Sequence, residues 1–203
     1  MKIILGIVGQ NGAGKGTLVN TLQQKAIEEG FSVGVHSSYR TIADLLEMCT
    51  ITPSRENAQK FVEIMENNLK KGFLSDALGK RMSEDKSDLV IFDCLRMPTD
   101  ITMFLRLRES NPNTRIFIAN ITRDREKRFA GLKARGQKPG EKDMTWEQFL
   151  MAERAHTEIH IPEIAKRADL TIENNGSLQE YEKKIDALFS DTIATSLEQQ
   201  TAI

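Results

Sequence analysis

The run "KIILGIV" (Lys2–Val8) passes without interruption into "GQNGAGKGT" (9–17), which holds four glycines and one lysine in nine residues. An unbroken apolar run without alternation is the pattern of a strand buried on both faces of a parallel sheet. The glycine stretch can continue neither as strand nor as helix. Helical spacing then begins at once, with Leu18, Leu22 and Ala26 on one face and Gly30 as a C-terminal stop. Strand, glycine loop and helix in that order commit the chain to a βα unit. In such a unit the loop lies at the carboxyl end of a buried strand.

The remaining segments repeat this alternation. Phe31–His36 reads as a second strand and Arg40–Met48 as a helix. Pro53-Ser54 opens another helix, with Ser54 as its N-cap. The stretch "FVEIMENNLKKGFLSDALGKRM" continues as helix with a break near Gly72. "DLVIFD" (88–93) is a third buried strand that ends in an acid. A helix over roughly 99–109, the strand "TRIFIANI" and a charged helix over Arg123–Arg135 follow. The segment "GQKPGEKD" (136–143) reads as a loop, Trp146–Ile159 as helix, "DLTIEN" as a last strand and Ser177–Phe189 as a closing helix. Strands alternating with helices predict a doubly wound α/β fold. We expect one domain over residues 1–190, with a helical insert at about 40–85 that overlies the sheet edge. The tail 191–203 holds little to bury and is expected to fray.

Composition narrows the partners. A chain of 203 residues with 39% hydrophobic and 28% charged residues suits one globular domain with a full core. A net charge of −1 argues against a general nucleic-acid binder. Ile3–Val8 is too short to span a bilayer, and two cysteines form no disulfide framework, so a cytoplasmic protein without a membrane partner is expected.

"GQNGAGK" fits G-x-x-x-x-G-K with Gly9, Gly14 and Lys15, between a strand and a helix as that motif requires. Phosphate oxygens need several backbone N–H groups pointing inward, and side chains at Gly12, Gly14 or Gly16 would obstruct that wrap. Asn11, Ala13 and Thr17 complete the loop. The helix N-terminus adds partial positive charge, and Lys15 reaches the β- and γ-phosphates. The loop therefore predicts binding of a nucleoside triphosphate. Asp93, at the carboxyl end of its strand, should face this loop, where an acid can hold magnesium through water or accept a proton. Arg96, three residues on, offers a planar fork for a phosphate or a salt bridge to a neighbour.

"GAGKGT", with Gly16 where a hydroxyl commonly follows the lysine, resembles the loop of adenylate kinases and related nucleoside monophosphate kinases. "DCLR" is similar to their D-G-x-P-R stretch and to D-G-I-R in dephospho-coenzyme-A-kinase-like proteins. "RFAGLKARG…TWEQFLMAERA…IPEIAKRADLTIENNGSLQEY" is similar to the latter group. The resemblance runs from Lys2 to about Phe189. It implies a three-layer fold with a five-stranded parallel sheet, ATP and Mg²⁺ as cofactors, and a small-molecule phosphate acceptor bound by a monomer or homodimer. It implies that Thr17 and Asp93 hold the metal and that Ser38, Arg40 and Arg96 line the acceptor site; Arg55, in the first turn of its helix against the macrodipole, suits either an anion of that site or solvent. It also implies that the turn Asn174–Gly176, with Asn175 as its site residue, borders the base and that residues about 123–158 form a lid.

Between residues 123 and 142 stand eight Lys or Arg and three acids, a local balance of +5. Arg125, Arg128 and Arg135 fall within roughly 80° at ~100° per helical residue. Such a run suits either a solvated face or a lid whose arginines neutralise the transferring group. Arg128 and Arg135 are the expected donor-side contacts, with Arg128 catalytic beside Lys15 and Asp93, and Arg154 contacts the acceptor side. True dephospho-coenzyme-A kinases place an aspartate after strand two; here "HSSYR" holds none. A hydroxyl acceptor needs a general base, whereas a phosphate acceptor is already anionic, so a monophosphate acceptor is favoured. A hydroxyl acceptor with Asp93 as base, or an ATP-binding switch without a metabolite acceptor, are the alternatives. His156 and His160 lack the glutamate of a zinc motif.

Overall fold

The computed structural model describes residues 2–136 and 140–198. Its centre is β1 (Lys2–Val8), which pairs in parallel with β3 (Leu89–Phe92) on one side and with β4 (Thr114–Thr122) on the other. Beyond β3 lies β2 (Val33–His36), and beyond β4 lies β5 (Leu170–Glu173), giving the all-parallel order β2-β3-β1-β4-β5. The register sets Leu5 between Ile91 and Phe117, so apolar side chains continue across neighbouring strands.

Period-two alternation sends the side chains of β1 into two separate cores. Ile3, Leu5 and Ile7 pack with Leu18 and Leu22 of α1 (Lys15–Glu28) and with Tyr181 and Ile185 of α9 (Leu178–Leu188). Ile4 and Val8 face the other layer. There they meet Leu78 and Met82 of α4 (Phe73–Glu84), Met103 and Phe104 of α5 (Pro98–Ser110), and Ile161 and Ile164 of α8 (Ile161–Ala165). Helices on both faces make three layers, as the apolar runs imply.

The insert carries a small core of its own. Ile42 and Leu46 of α2 (Ser38–Met48) bury against Ala58, Phe61 and Val62 of α3 (Arg55–Asn68) and against Phe73 and Leu74 of α4. Ser54 caps α3 by accepting from the Asn57 amide at 3.0 Å, and the break falls at Gly72.

Two expectations are corrected. The helix anticipated over 146–159 stops at Glu153: α7 is Trp146–Glu153, and turns lead to α8. Pro162 near the start of α8 lacks an N–H, and its ring excludes a helical carbonyl four residues back, so no single helix can run through. The expected fraying from residue 191 is also overrun. A π-helical turn over Phe189–Ala194 continues α9 and leads into α10 (Thr195–Glu198), burying Phe189, Ile193 and Leu197 in the first core. The apolar positions 185, 189, 193 and 197 recur every four residues, and that stripe draws the segment onto α1. Residues 199–203 of the anticipated tail lie outside the described residues.

Candidate active site

The neighbours of β1 extend the sheet in opposite directions, and the crevice at such a switch point lies beyond the carboxyl end of the central strand. The glycine loop occupies that position. Gly12 and Gly14 have φ of 80° and 109°, a left-handed region that side chains rarely adopt. A Cβ at Gly12 would stand 2.9 Å from the Arg128 carbonyl oxygen, and one at Gly14 would stand 2.4 Å from the Asn174 amide nitrogen. The loop is thus braced from behind. Asn174 Nδ2 donates to the Ala13 carbonyl at 2.8 Å, the Tyr181 hydroxyl to the Gly14 carbonyl at 3.2 Å, and Arg128 Nη1 to the Asn11 carbonyl at 3.3 Å. Burial pushes the Tyr181 phenol up, which keeps it a donor. By contrast, a Cβ at Gly16 would meet no protein atom within 4 Å, so packing alone does not demand glycine there.

The α1 N-terminus has neither a side-chain cap nor an acid in its first turn, so its positive end is uncompensated beside the loop. Lys15 Nζ folds back to donate to the Gly9 carbonyl at 2.5 Å and the Gln10 carbonyl at 3.1 Å. Burial lowers its pKa, with the charges of Glu158 and Asp93 opposing in part. A cradle closed to side chains, an uncapped helix start and a lysine held at its mouth fit the polyphosphate of ATP.

Asp93 follows β3 and receives its register from its amide, which donates to the His36 carbonyl at 3.0 Å. Burial raises its carboxyl pKa, while the Ser37 hydroxyl, Arg96 and Lys15 pull the other way. Among the described residues no group of three or more His, Cys, Asp or Glu side chains could hold a metal ion. Thr17 lies half-buried in the first turn of α1.

Arg96 Nε donates to the Cys94 thiol at 3.0 Å, and its Nη1 pairs with Glu158 from the α7–α8 connection. Burial disfavours the Arg96 charge, but its anionic surroundings, with Glu158 and Asp93 among them, more than compensate and raise its pKa. Its backbone is anchored: the Arg96 and Met97 amides both donate to buried Asp100 at 2.9 Å, which also accepts from Ser75 at 2.8 Å. Lys15, Asp93 and Arg96 therefore share one electrostatic neighbourhood.

The other expected residues are placed differently. The Arg128 side chain is 3% exposed. Besides the Asn11 carbonyl it donates to Glu153 at 2.5 Å and to the Arg123 carbonyl at 3.1 Å, and it lies over the Phe149 ring. In this conformation it is a strut between α6 (Arg125–Arg135), α7 and the loop, not an open anion fork, because the side chain is buried and each of its three nitrogens donates to the protein. Arg135 pairs with buried Glu141, and Arg154 is exposed at the end of α7. Arg40, 75% exposed, forms an i,i+4 pair with Asp44 on α2, while half-buried Ser38 opens that helix beside its cap Ser37. Arg55 begins α3, and its side chain lies outside the described residues. Asn175 accepts from the Asp124 amide at 2.7 Å and donates to Asp124 and Glu173, each at 2.8 Å, tying β5 to the start of α6. Trp146 and Phe149 stack at 5.3 Å and meet Phe129, which joins α7 to α6. Glu153, Glu158, Asn174, Tyr181 and Asp100 escape a linear reading, since nothing local marks their partners. Asp100, in the first turn after a proline, is the one with a helix-start signal.

No protein-family model matches the chain. It is 28% identical over 193 residues to a UPF0200 protein of Thermococcus gammatolerans, covering 94% of this chain and 96% of that one. It is 23% identical over 198 residues to a UPF0200 protein of Pyrococcus horikoshii, covering 95% and 98%. Among solved structures it matches shikimate kinase of Bacteroides thetaiotaomicron with a TM-score of 0.58 at 16% identity, over 92% of this chain and 96% of the other. It matches the APS kinase of Mycobacterium tuberculosis in complex with AMPPNP and APS with a TM-score of 0.52 at 16% identity, over 93% and 97%. At these identities structural likeness speaks for architecture, and the architecture of this chain is the three-layer α/β fold of P-loop kinases.

Proposed function

We propose that the chain is an ATP-dependent phosphotransferase that passes the γ-phosphate of ATP to a small acceptor, a nucleoside or deoxynucleoside monophosphate. The observation that carries this reading is the shared neighbourhood of Lys15, Asp93 and Arg96 at the mouth of a braced glycine cradle. The loop and the α1 N-terminus bind and orient the triphosphate, and Lys15 leaves its two carbonyls to meet the β- and γ-oxygens. Thr17 and Asp93 would hold Mg²⁺, which supplies neutralising charge at the transferring group when bound. Arg96 grips the acceptor's phosphate. The bond from the γ-phosphorus to the β–γ bridging oxygen breaks as a bond to an acceptor phosphate oxygen forms. That oxygen is already anionic, so no general base is required. The insert and the α6–α7 lid would exclude water and so suppress ATP hydrolysis.

One observation favours a second reading. The Asp93 carboxyl is held above its ordinary value of 3.8 by burial, which suits a base that takes a proton from a hydroxyl acceptor such as dephospho-coenzyme A. A panel of monophosphates and dephospho-coenzyme A with γ-labelled ATP separates the two. ADP together with a labelled diphosphate of one added monophosphate supports the first, and label in dephospho-coenzyme A supports the second. Lys15→Ala should lower ATP affinity on the order of 100-fold with an unchanged melting curve. Retained affinity would remove the cradle from the account.

A further inference from the structure

Arg96 is fixed at its root and tethered at its tip by a group of a different kind. Buried Asp100 holds the Arg96 and Met97 amides, so the guanidinium projects from a rigid turn. Its partner Glu158 stands among the turns between α7 and α8, in no helix, on the return segment of the lid. The two side chains are 34% and 11% exposed, which places the pair at an opening that solvent reaches from the arginine side. Lys15 and Asp93 act electrostatically on the same guanidinium or its neighbours.

A partly desolvated ion pair with one rigid and one loop-borne partner can exchange that partner for a better one. A phosphate dianion matches the guanidinium fork and carries twice the charge of a carboxylate. A free carboxylate ligand has no such advantage over the resident one. We infer that Glu158 is a specificity-determining residue of the acceptor site: it is the resident counter-ion of Arg96, displaced by acceptors that bear a phosphate dianion and retained against those whose anionic group is a carboxylate. Its release frees the lid return when the right acceptor enters. The inference rests on the phosphotransferase reading for calling the entering anion an acceptor, but anion exchange at Arg96 needs no turnover.

The test is equilibrium dialysis of labelled inorganic phosphate against the full chain, with excess ADP filling the donor cradle and acetate as competitor. Glu158→Gln, which keeps the shape and removes the charge, should bind phosphate on the order of tenfold tighter than the natural protein. Acetate should compete for phosphate in Glu158→Gln and not in the natural protein, and Arg96→Ala should abolish the tight site. Glu158→Asp, measured alongside, keeps the charge and should stay nearer the natural protein than Glu158→Gln does. Equal or weaker phosphate binding by both folded Glu158 variants, or full binding by Arg96→Ala, would overturn the inference. Anion exchange as described with neither a monophosphate nor dephospho-coenzyme A phosphorylated would leave the exchange at Arg96 standing and remove the kinase reading. Monophosphate turnover with an acceptor KM that Glu158→Gln does not lower would do the reverse.

Discussion

At Gly14 a single missing methyl group decides whether the loop can close. With φ at 109° and the Asn174 amide 2.4 Å from the place of a Cβ, an alanine would have to push back the residue that holds the Ala13 carbonyl. Gly14→Ala should therefore cost about 1–3 kcal/mol of stability and weaken nucleotide binding. Gly16→Ala, with open protein space around it, should stay within about 0.5 kcal/mol of the natural chain, so that any lost ADP affinity reports the ligand's own approach. Thermal melts paired with ADP calorimetry check both, and equal melts for the two variants would refute the bracing of the loop. Lys15, Asp93 and Arg96 are legible in the sequence because strand ends and motif spacing place them. Glu158, Asn174 and Tyr181 are not: their contacts to the site span 62, 161 and 167 residues, and no local pattern encodes a pairing across such a gap.

Among elements, the edge strand β2 is tied to its neighbour β3 by side chains as well as by the strand ladder. Ser32, just before it, donates both its amide (2.8 Å) and its hydroxyl (2.6 Å) to Asp88, just before β3. The Ser32 hydroxyl, followed by its amide, holds the Asp88 carboxyl below its ordinary value of 3.8. A carboxyl whose folded pKa is depressed contributes stability above its unfolded value, and that stability is lost as pH falls through the folded value. Denaturant titrations of the natural chain should thus show stability falling below pH about 4, with a shallower fall in Asp88→Asn. Identical slopes would place the acid sensitivity elsewhere. The helix α6 carries a related lesson. Its arginine stripe suits either a solvated face or a lid, yet Arg128 turns inward because Glu153 and the Asn11 carbonyl await it there. Charge periodicity marks a face of a helix without saying whether solvent, ligand or protein will cover it.

Across the whole molecule, the closing segment behaves as part of the core. Ile193 is fully buried and Leu197 nearly so, both in the layer that supports the glycine loop through α1 and α9. Ile193→Ala should cost about 2–4 kcal/mol, read as a lower midpoint in chemical denaturation, and a variant that melts with the natural chain would return this segment to the status of an appendage. The apolar runs, the glycine motif and the alternation of periods determined the class of fold and the position of the glycine loop, because burial on two faces and a tight left-handed turn are local demands on composition. Only the tertiary structure decided which arginines stay open, which acids neutralise them and where the last helix docks. Those outcomes depend on charges and surfaces brought together from distant parts of the chain, and a sequence read in order holds no measure of that proximity.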